Sequence, residues 1–290
     1  MPARLILNAD DFGLTRGINR SIGELHSTGV LPSATLMASG AAFDDAIEVA
    51  RTHPALGVGC HIVLTDGAPV SPPDSIPSLI GADGKNFRPS LVDFVQAILL
   101  GRIKEEEVAR EALAQVEKLQ RAGIQPTHLD THKHTHLFPF IARPLLQIAE
   151  RCGIRAIRNP FEPEWSLALD HGSRARRLAI RLIGLLRPRF EAHWQIRDGR
   201  VLTTDGTVAI SATGELNATT LGEILRAIPS TGTYEICCHP GYNDGELDRI
   251  TTRLRAHRDV ERESLLAEVP KILSHSNAPV LIHYGNLAVD

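Results

Sequence analysis

From residue 127 the chain runs Thr127-His128-Leu129-Asp130-Thr131-His132-Lys133-His134-Thr135-His136, which puts one carboxylate and four imidazoles on alternate positions. These are the side chains that bind first-row metal ions and that exchange protons near neutral pH. On an extended backbone alternate side chains share one face, so the donors converge for as long as the segment stays a strand. A His-rich solvated loop is the plainer reading, because short Asp-x-His patterns are frequent. Three further motifs weigh against it.

Asn8-Ala9-Asp10-Asp11-Phe12-Gly13 sets two adjacent carboxylates just past the apolar run Leu5-Ile6-Leu7. Where a chain turns, neighbouring side chains diverge, so one carboxylate can bind a metal while the other stays free as a base. Taken alone the pair also fits a turn or a helix cap. Gly13 admits a close backbone approach or an unusual φ. Gly57-Val58-Gly59-Cys60-His61 thins a strand with two glycines before an imidazole. With Asp11 and His132, His61 makes a two-His, one-carboxylate set that leaves coordination positions for water and substrate. In Tyr234-Glu235-Ile236-Cys237-Cys238-His239-Pro240-Gly241 a strand-end histidine is followed by a Pro-Gly turn that fixes its direction, which suits a general acid.

Something must carry these groups to one place. Short apolar, β-branched runs recur at 4–8, 33–38, 56–62, 127–132, 154–158, 233–239 and 279–284. Unbroken apolar runs predict strands covered on both faces. Between them, 18–27, 43–52, 105–122, 140–151 and 258–273 repeat apolar residues at helical spacing. Alternating β and α elements predict a parallel sheet. The polar residues fall at the C-terminal ends of the runs: Asp10 and Asp11, His61, Asp130 and His132, Arg158, His239 and His283. That end carries the active site in parallel α/β folds. The convergence predicts a barrel in one domain, 1–290. Two insertions interrupt it. Residues 63–90, rich in Pro, Gly and Asp, form a long loop over the site end; 160–216 hold a basic amphipathic segment, 173–189, and then a predicted hairpin.

Of 290 residues, 43% are hydrophobic and 22% charged, as in soluble globular enzymes, and the net charge of −3 offers no field for nucleic acid. No basic run is interleaved with aromatics, so nucleic-acid binding is excluded as a function. The N-terminal stretch lacks an apolar signal region and no segment is long enough to span a membrane, which predicts a cytoplasmic protein. Four cysteines beside apolar segments read as buried free thiols.

Together, Asn8-Ala9-Asp10-Asp11-Phe12-Gly13, Gly59-Cys60-His61, Thr127 to His132 with His134 and His136, and Cys238-His239-Pro240-Gly241 resemble the YdjC-like carbohydrate deacetylase family, which includes the bacterial chitooligosaccharide deacetylase. The motifs run in family order from residue 8 to residue 241. The resemblance implies an α/β fold, a distorted (β/α) barrel of the glycoside hydrolase/deacetylase type with loop and hairpin insertions. It implies metal-dependent hydrolysis of an N-acetyl group. By position it makes Asp11, His61 and His132 the metal ligands, Asp10 the base and His239 the acid that protonates the leaving amine. His134 and His136 match supporting or substrate contacts. Thr131 and Lys133 stand where the family often has Ser and His, which leaves substrate identity open.

Asp130 is expected to orient a histidine through a carboxylate contact, with Arg158 and His283 as further supporting or substrate-binding residues. One divalent ion is expected. Two imidazoles and a carboxylate favour Zn²⁺, and Mg²⁺, often described for the family, is the alternative. Some family relatives are associated with hopanoid lipid biosynthesis, so the substrate is an N-acetylated sugar or a glycolipid. The arginines of 173–189 read either as a solvated face or as a peripheral membrane contact, and the 160–216 insertion as a rim for a homodimer. The alternatives are a metal-dependent glycoside or phosphoester hydrolase and a sugar- or metal-binding module without catalysis.

Overall fold

A computed structural model describes residues 2–288 of the chain. Its strands are β1 (Arg4–Phe12), β2 (Ser33–Leu36), β3 (Gly57–Ile62), β4 (Leu129–Thr131), β5 (Gly206–Val208), β6 (Thr233–Cys238) and β7 (Val280–Leu281). Helices α1 (Arg16–Ser27), α2 (Phe43–Thr52), α3 (Leu91–Leu99), α4 (Glu105–Arg121) and α5 (Pro139–Arg151) fill the first half. Four short ones, α6 (Glu164–Leu167), α7 (Arg174–Gly184), α8 (Arg187–Glu191) and α9 (Trp194–Arg197), precede α10 (Ala218–Ala227) and α11 (Ala256–Leu273).

All strand pairs are parallel, in the order β4-β3-β2-β1-β6-β5, with β7 beside the start of β1. The curled sheet is drawn toward closure by single parallel bridges, Leu129 to Ile157 and Ala156 to Leu202. This is a distorted (β/α) barrel. The distortion is local: 154–158, read from sequence as a full strand, supplies only these bridges.

Side chains along β1 alternate between two environments. Leu5, Leu7 and Ala9 point outward into the large apolar cluster shared with the helices, while Ile6 points inward to a small floor of Ala156 and Tyr284. Above that floor the interior turns polar, with Asn8 and Asp10 from β1, Glu235 from β6 and Arg158 all buried. The outer shell holds the barrel together, which leaves the interior free to carry charge. The glycines of β3 serve the same end. A Cβ on Gly59 would meet His128 Cε1 at 2.4 Å, and one on Gly57 would meet His283 Cβ at 2.5 Å. Side-chain-free positions on β3 therefore admit imidazoles from neighbouring segments.

The helices track the predicted spans closely. Helix α1 starts where Thr15 accepts the Ile18 N–H at 3.2 Å, buries Ile18, Ile22 and Leu25, and stops at Gly29, whose φ is 75°. The expected hairpin in 160–216 is absent. Residues 194–197 form the helical turn α9, Leu202 bridges Ala156 in parallel, and β5 runs parallel to β6. Asp-Gly pairs there end a helical turn and start a strand; they do not join antiparallel strands. The 63–90 loop is pinned by α4, whose Glu111 accepts the N–H groups of Val70 and Ser71 at 2.9 Å each, while Glu107 accepts that of Ser78 at 2.7 Å. Gln115 brackets Val63 by both backbone groups. A polar stripe at helical spacing thus satisfies a loop that has little ladder of its own.

Gly59→Ala is expected to lower unfolding free energy by about 1–3 kcal/mol, as overpacking of a tight interior does; chemical denaturation checks this, and unchanged stability would mean that the His128 ring moves aside freely.

Candidate active site

The turn at the end of β1 separates its two carboxylates. Asp11 adopts φ 64° and Gly13 φ 88°. Asn19 of α1 locks the turn, its Oδ1 accepting the Gly13 N–H at 2.7 Å and its Nδ2 donating to the Ala42 carbonyl at 3.0 Å. Asp10 therefore points into the ring and Asp11 toward β3 and β4.

Inside the ring, Arg158 is fully buried and gathers carboxylates from different strands. It donates to Asp10 from Nη2 to Oδ1 at 2.6 Å and from Nη1 to Oδ2 at 2.9 Å. It also pairs with Asp130 Oδ2 at 2.6 Å and donates from Nη2 to Glu235 Oε1 at 2.6 Å. Asn8 Nδ2, the Thr35 hydroxyl and the Cys237 thiol also donate to Asp10, at 3.0 Å, 3.3 Å and 3.3 Å. Burial resists charge on Asp10, yet the Arg158 guanidinium holds its carboxyl well below the usual range. It is ionised at any working pH.

Asp11 is pinned on one oxygen only. Arg258 Nη2 donates to its Oδ2 at 2.5 Å, and that guanidinium overcomes burial to keep the carboxyl well below the ordinary range. Its Oδ1 is buried without a hydrogen-bond partner, 3.8 Å from His61 Nε2 and 3.4 Å from His132 Nδ1. His61 Nε2 is likewise buried and unpartnered, because Nδ1 is engaged with Asp130 Oδ1 at 2.7 Å. Asp130 thereby fixes a proton on Nδ1, so that Nε2 presents a lone pair when His61 is neutral. Burial works against charging His61, but Asp130 and then Asp10 push it up to about 9. One oxygen and two nitrogens of Asp11, His61 and His132 lie within 4.8 Å of one another. A donor set with two buried atoms lacking partners fits a divalent cation.

His239 closes the opposite side, its Nε2 4.0 Å from Asp10 Oδ2. Burial pushes the imidazole down to about 4, with Asp10 and Asp11 pulling the other way. The rest of the histidine ladder leaves the common face, because β4 ends at Thr131 and the chain turns through left-handed Lys133 (φ 58°) and His134 (φ 52°). His134 is partly exposed, and burial of its ring pushes its pKa down to about 3. His136 is fully buried between Thr131 Oγ1, at 2.7 Å, and the Arg158 carbonyl, at 3.2 Å, so it buttresses Arg158 from behind. His128 stacks on Tyr284 at 3.8 Å near the barrel floor.

One sequence expectation is corrected. His283 does not join the site: β7 pairs only with Arg4 and Leu5, at the start of β1, so the end of β7 lies beside Gly57 at the start of β3. It is a strand-end residue of a strand set too low. Conversely, Arg258 and Glu261 stand under the site though no sequence motif marks them, and Glu235 and Cys237 reach it from within the motif that ends β6. Arg258 and Glu261 fall on the buried face of α11 with Leu265, and charges at helical spacing with a core leucine were the available signal.

The chain matches the family model described as YdjC-like protein over residues 4–272. It is 32% identical over 284 residues to a carbohydrate deacetylase of Brevibacillus brevis, covering 98% of this chain and 99% of that one. A chitooligosaccharide deacetylase of Salmonella typhimurium is 40% identical over 153 residues, 52% of this chain and 57% of the relative. A crystal structure from Enterococcus faecalis V583, of a protein named for cellobiose-phosphate cleavage, superposes with a TM-score of 0.76 at 26% identity, covering 100% of both chains.

Asp130→Asn is expected to weaken divalent-ion binding by about 10–100-fold, the usual effect of losing a ligand's carboxylate partner; calorimetric titration of metal-free protein reads it, and unchanged affinity would remove the orienting role. Because protonated His61, with its pKa pushed up to about 9, competes with an ion at Nε2, affinity should fall by about tenfold per pH unit from 9 toward 7. Each ion bound in that window should release close to one proton, measurable in weakly buffered solution.

Proposed function

Because the chain belongs to the YdjC-like protein family, we propose that it hydrolyses the N-acetyl group of an N-acetylated amino sugar, borne on an oligosaccharide or a glycolipid, and releases acetate. Relatives named carbohydrate deacetylase and chitooligosaccharide deacetylase support the substrate class. The observation that carries the reading is the pair of buried, unpartnered atoms His61 Nε2 and Asp11 Oδ1, 3.8 Å apart. Asp11, His61 and His132 would hold one divalent ion, Zn²⁺ on donor chemistry, with Mg²⁺ the alternative. When bound, the ion supplies Lewis acidity at the acetyl carbonyl and lowers the pKa of a water.

The chain's own groups move the protons. Asp10, kept ionised and fixed by Arg158, takes the proton of the attacking water. His239, across the gap from Asp10, gives a proton to the leaving nitrogen, which would otherwise depart as an amide anion. Asp130 holds His61 in register, and Arg158 ties Asp10 to Asp130. His134 is the ladder residue left to face a sugar.

The whole chain acts as one domain in this reading. Among the described residues no helix is long and apolar enough to cross a membrane, and the cysteines are free thiols, in keeping with a cytoplasmic site of action. Leu178, Leu182 and Leu185 of the α7 region are exposed beside Arg174 and Arg181, which supports a contact there with a lipid surface or a second copy. The structural relative named for cellobiose-phosphate cleavage favours a second reading, a glycoside or phosphoester hydrolase built on the same carboxylates.

Assays over N-acetylated chitooligosaccharides and glycolipids, with Zn²⁺ or Mg²⁺ added back, are expected to yield acetate without reducing sugar or phosphate. Asp10→Asn should keep its bound ion, by elemental analysis, and lose about 10²–10⁴-fold in rate. Sugar or phosphate release without acetate would hand the site to the second reading.

A further inference from the structure

Helix α11 brings two buried charges beneath the site, Arg258 and Glu261, each 1% exposed. Arg258 is committed to Asp11. Glu261 is committed to His239: its Oε2 accepts the His239 backbone N–H at 2.5 Å and lies 3.9 Å from Nδ1 of the same imidazole. Its Oε1 is buried with no hydrogen-bond partner. A carboxyl oxygen left so is costly unless it carries a proton or gains a partner in a working state. The imidazole is thus strung between two carboxyl groups, with Nε2 toward Asp10 on the substrate side and Nδ1 toward Glu261 on the helix side.

We propose that Glu261 is the positioning residue of the leaving-group acid, supplying at His239 Nδ1 the proton that replaces the one passed from Nε2 to the departing amine. This rests on the deacetylase reading. As the C–N bond breaks, its electron pair stays on nitrogen, and the Nε2–H bond breaks as the amine N–H forms. The Glu261 O–H bond then breaks as Nδ1–H forms, which leaves a neutral imidazole in its other tautomer and an ionised Glu261 that water reprotonates. The 3.9 Å gap needs a small ring rotation, and catalytic hydrogen bonds commonly tighten only when substrate is bound.

The surroundings suit such a store. Glu261 is faced by Arg258 from its own helix, by Cys238 and His239 from the end of β6, and by Asp10 and Asp11 from β1. Burial pushes it up to about 7, against the opposing pull of the His239 N–H and Arg258. His239, pushed down to about 4, would by itself be unprotonated at neutral pH. The pair can still hold one proton there, on the glutamate.

Glu261→Gln preserves shape and an oxygen for the His239 N–H but removes the exchangeable proton. With an N-acetylated chitooligosaccharide, kcat should drop by about 10²-fold with KM within about twofold, and the limb of the kcat–pH profile near neutrality should vanish. With 4-nitrophenyl acetate, whose phenolate leaves without a proton, the loss should stay under about threefold. Glu261→Asp should recover part of the amide rate. Histidine NMR of the metal-free protein should show His239 responding to a titration near pH 7 that the Gln variant lacks. An unchanged kcat, pH profile and His239 titration would overturn the proposal. So would equal losses on amide and ester with a lowered Tm, the mark of a purely structural glutamate. If wild-type protein releases no acetate from any amide, the deacetylase reading fails, while the NMR titration still decides whether Glu261 and His239 share a proton.

Discussion

A guanidinium with no access to solvent sits inside the strand ring, and the neighbouring groups are arranged to keep it charged. Removing an ion from water costs several kcal/mol even after relaxation. Burial opposes the charge of Arg158, but Asp10, Asp130 and Glu235 outweigh it and hold its pKa well above the ordinary value. Each of these carboxylates has a second task. Asp130 aims His61, Asp10 faces His239, and Glu235 accepts from Thr207 Oγ1 at 2.9 Å and from the Tyr284 hydroxyl. Arg158 pulls the pKa of both carboxyls down, but burial outweighs it at Glu235, whose pKa is raised, and not at Asp10, whose pKa is held well below the usual range. Orientation of His61 and of the candidate base has a single electrostatic origin.

Much of this was legible because a parallel sheet translates chain order into geometry. Apolar runs had to be strands covered on both sides, and the polar residues closing them had to meet at one end. Asp10, Asp11, His61, Asp130, His132 and His239 do meet there. Register, which no pattern encodes, decides the exception. β7 pairs with the first residues of β1, so His283 closes a strand at the wrong height. The convergence of the ladder ends after His132 for a related reason. Alternation means convergence only in extended backbone, and Lys133 and His134 are left-handed.

The contribution of α11 was hidden for a different reason. A charged residue in a helical pattern is assigned to solvent by default, and α11 has Arg and Glu on most of its faces. Only tertiary packing distinguishes Arg258 and Glu261, buried beside Leu265, from Arg262, which stacks over Tyr242 at 4.5 Å. Glu107, Glu111 and Gln115 on α4 follow the same logic, as buried polar residues whose partners are backbone groups of a distant loop. In both helices the polar residues on the inner face hold chain from distant parts of the sequence.

The pairing of β1 with β6 has a consequence for the order of events in the cell. Arg4 bonds Thr233, which lies 229 positions later, and Asp11 waits for Arg258, 247 positions later. At about 5–20 residues per second, a nascent chain holds its central strand without one neighbour for on the order of ten seconds or more. Through that interval the acidic pair emerges early and stays unclamped, since the arginines that fix its two carboxylates arrive with the second half of the chain. A fully clamped acidic pair is then a feature of the last stage of folding, after translation has delivered α11.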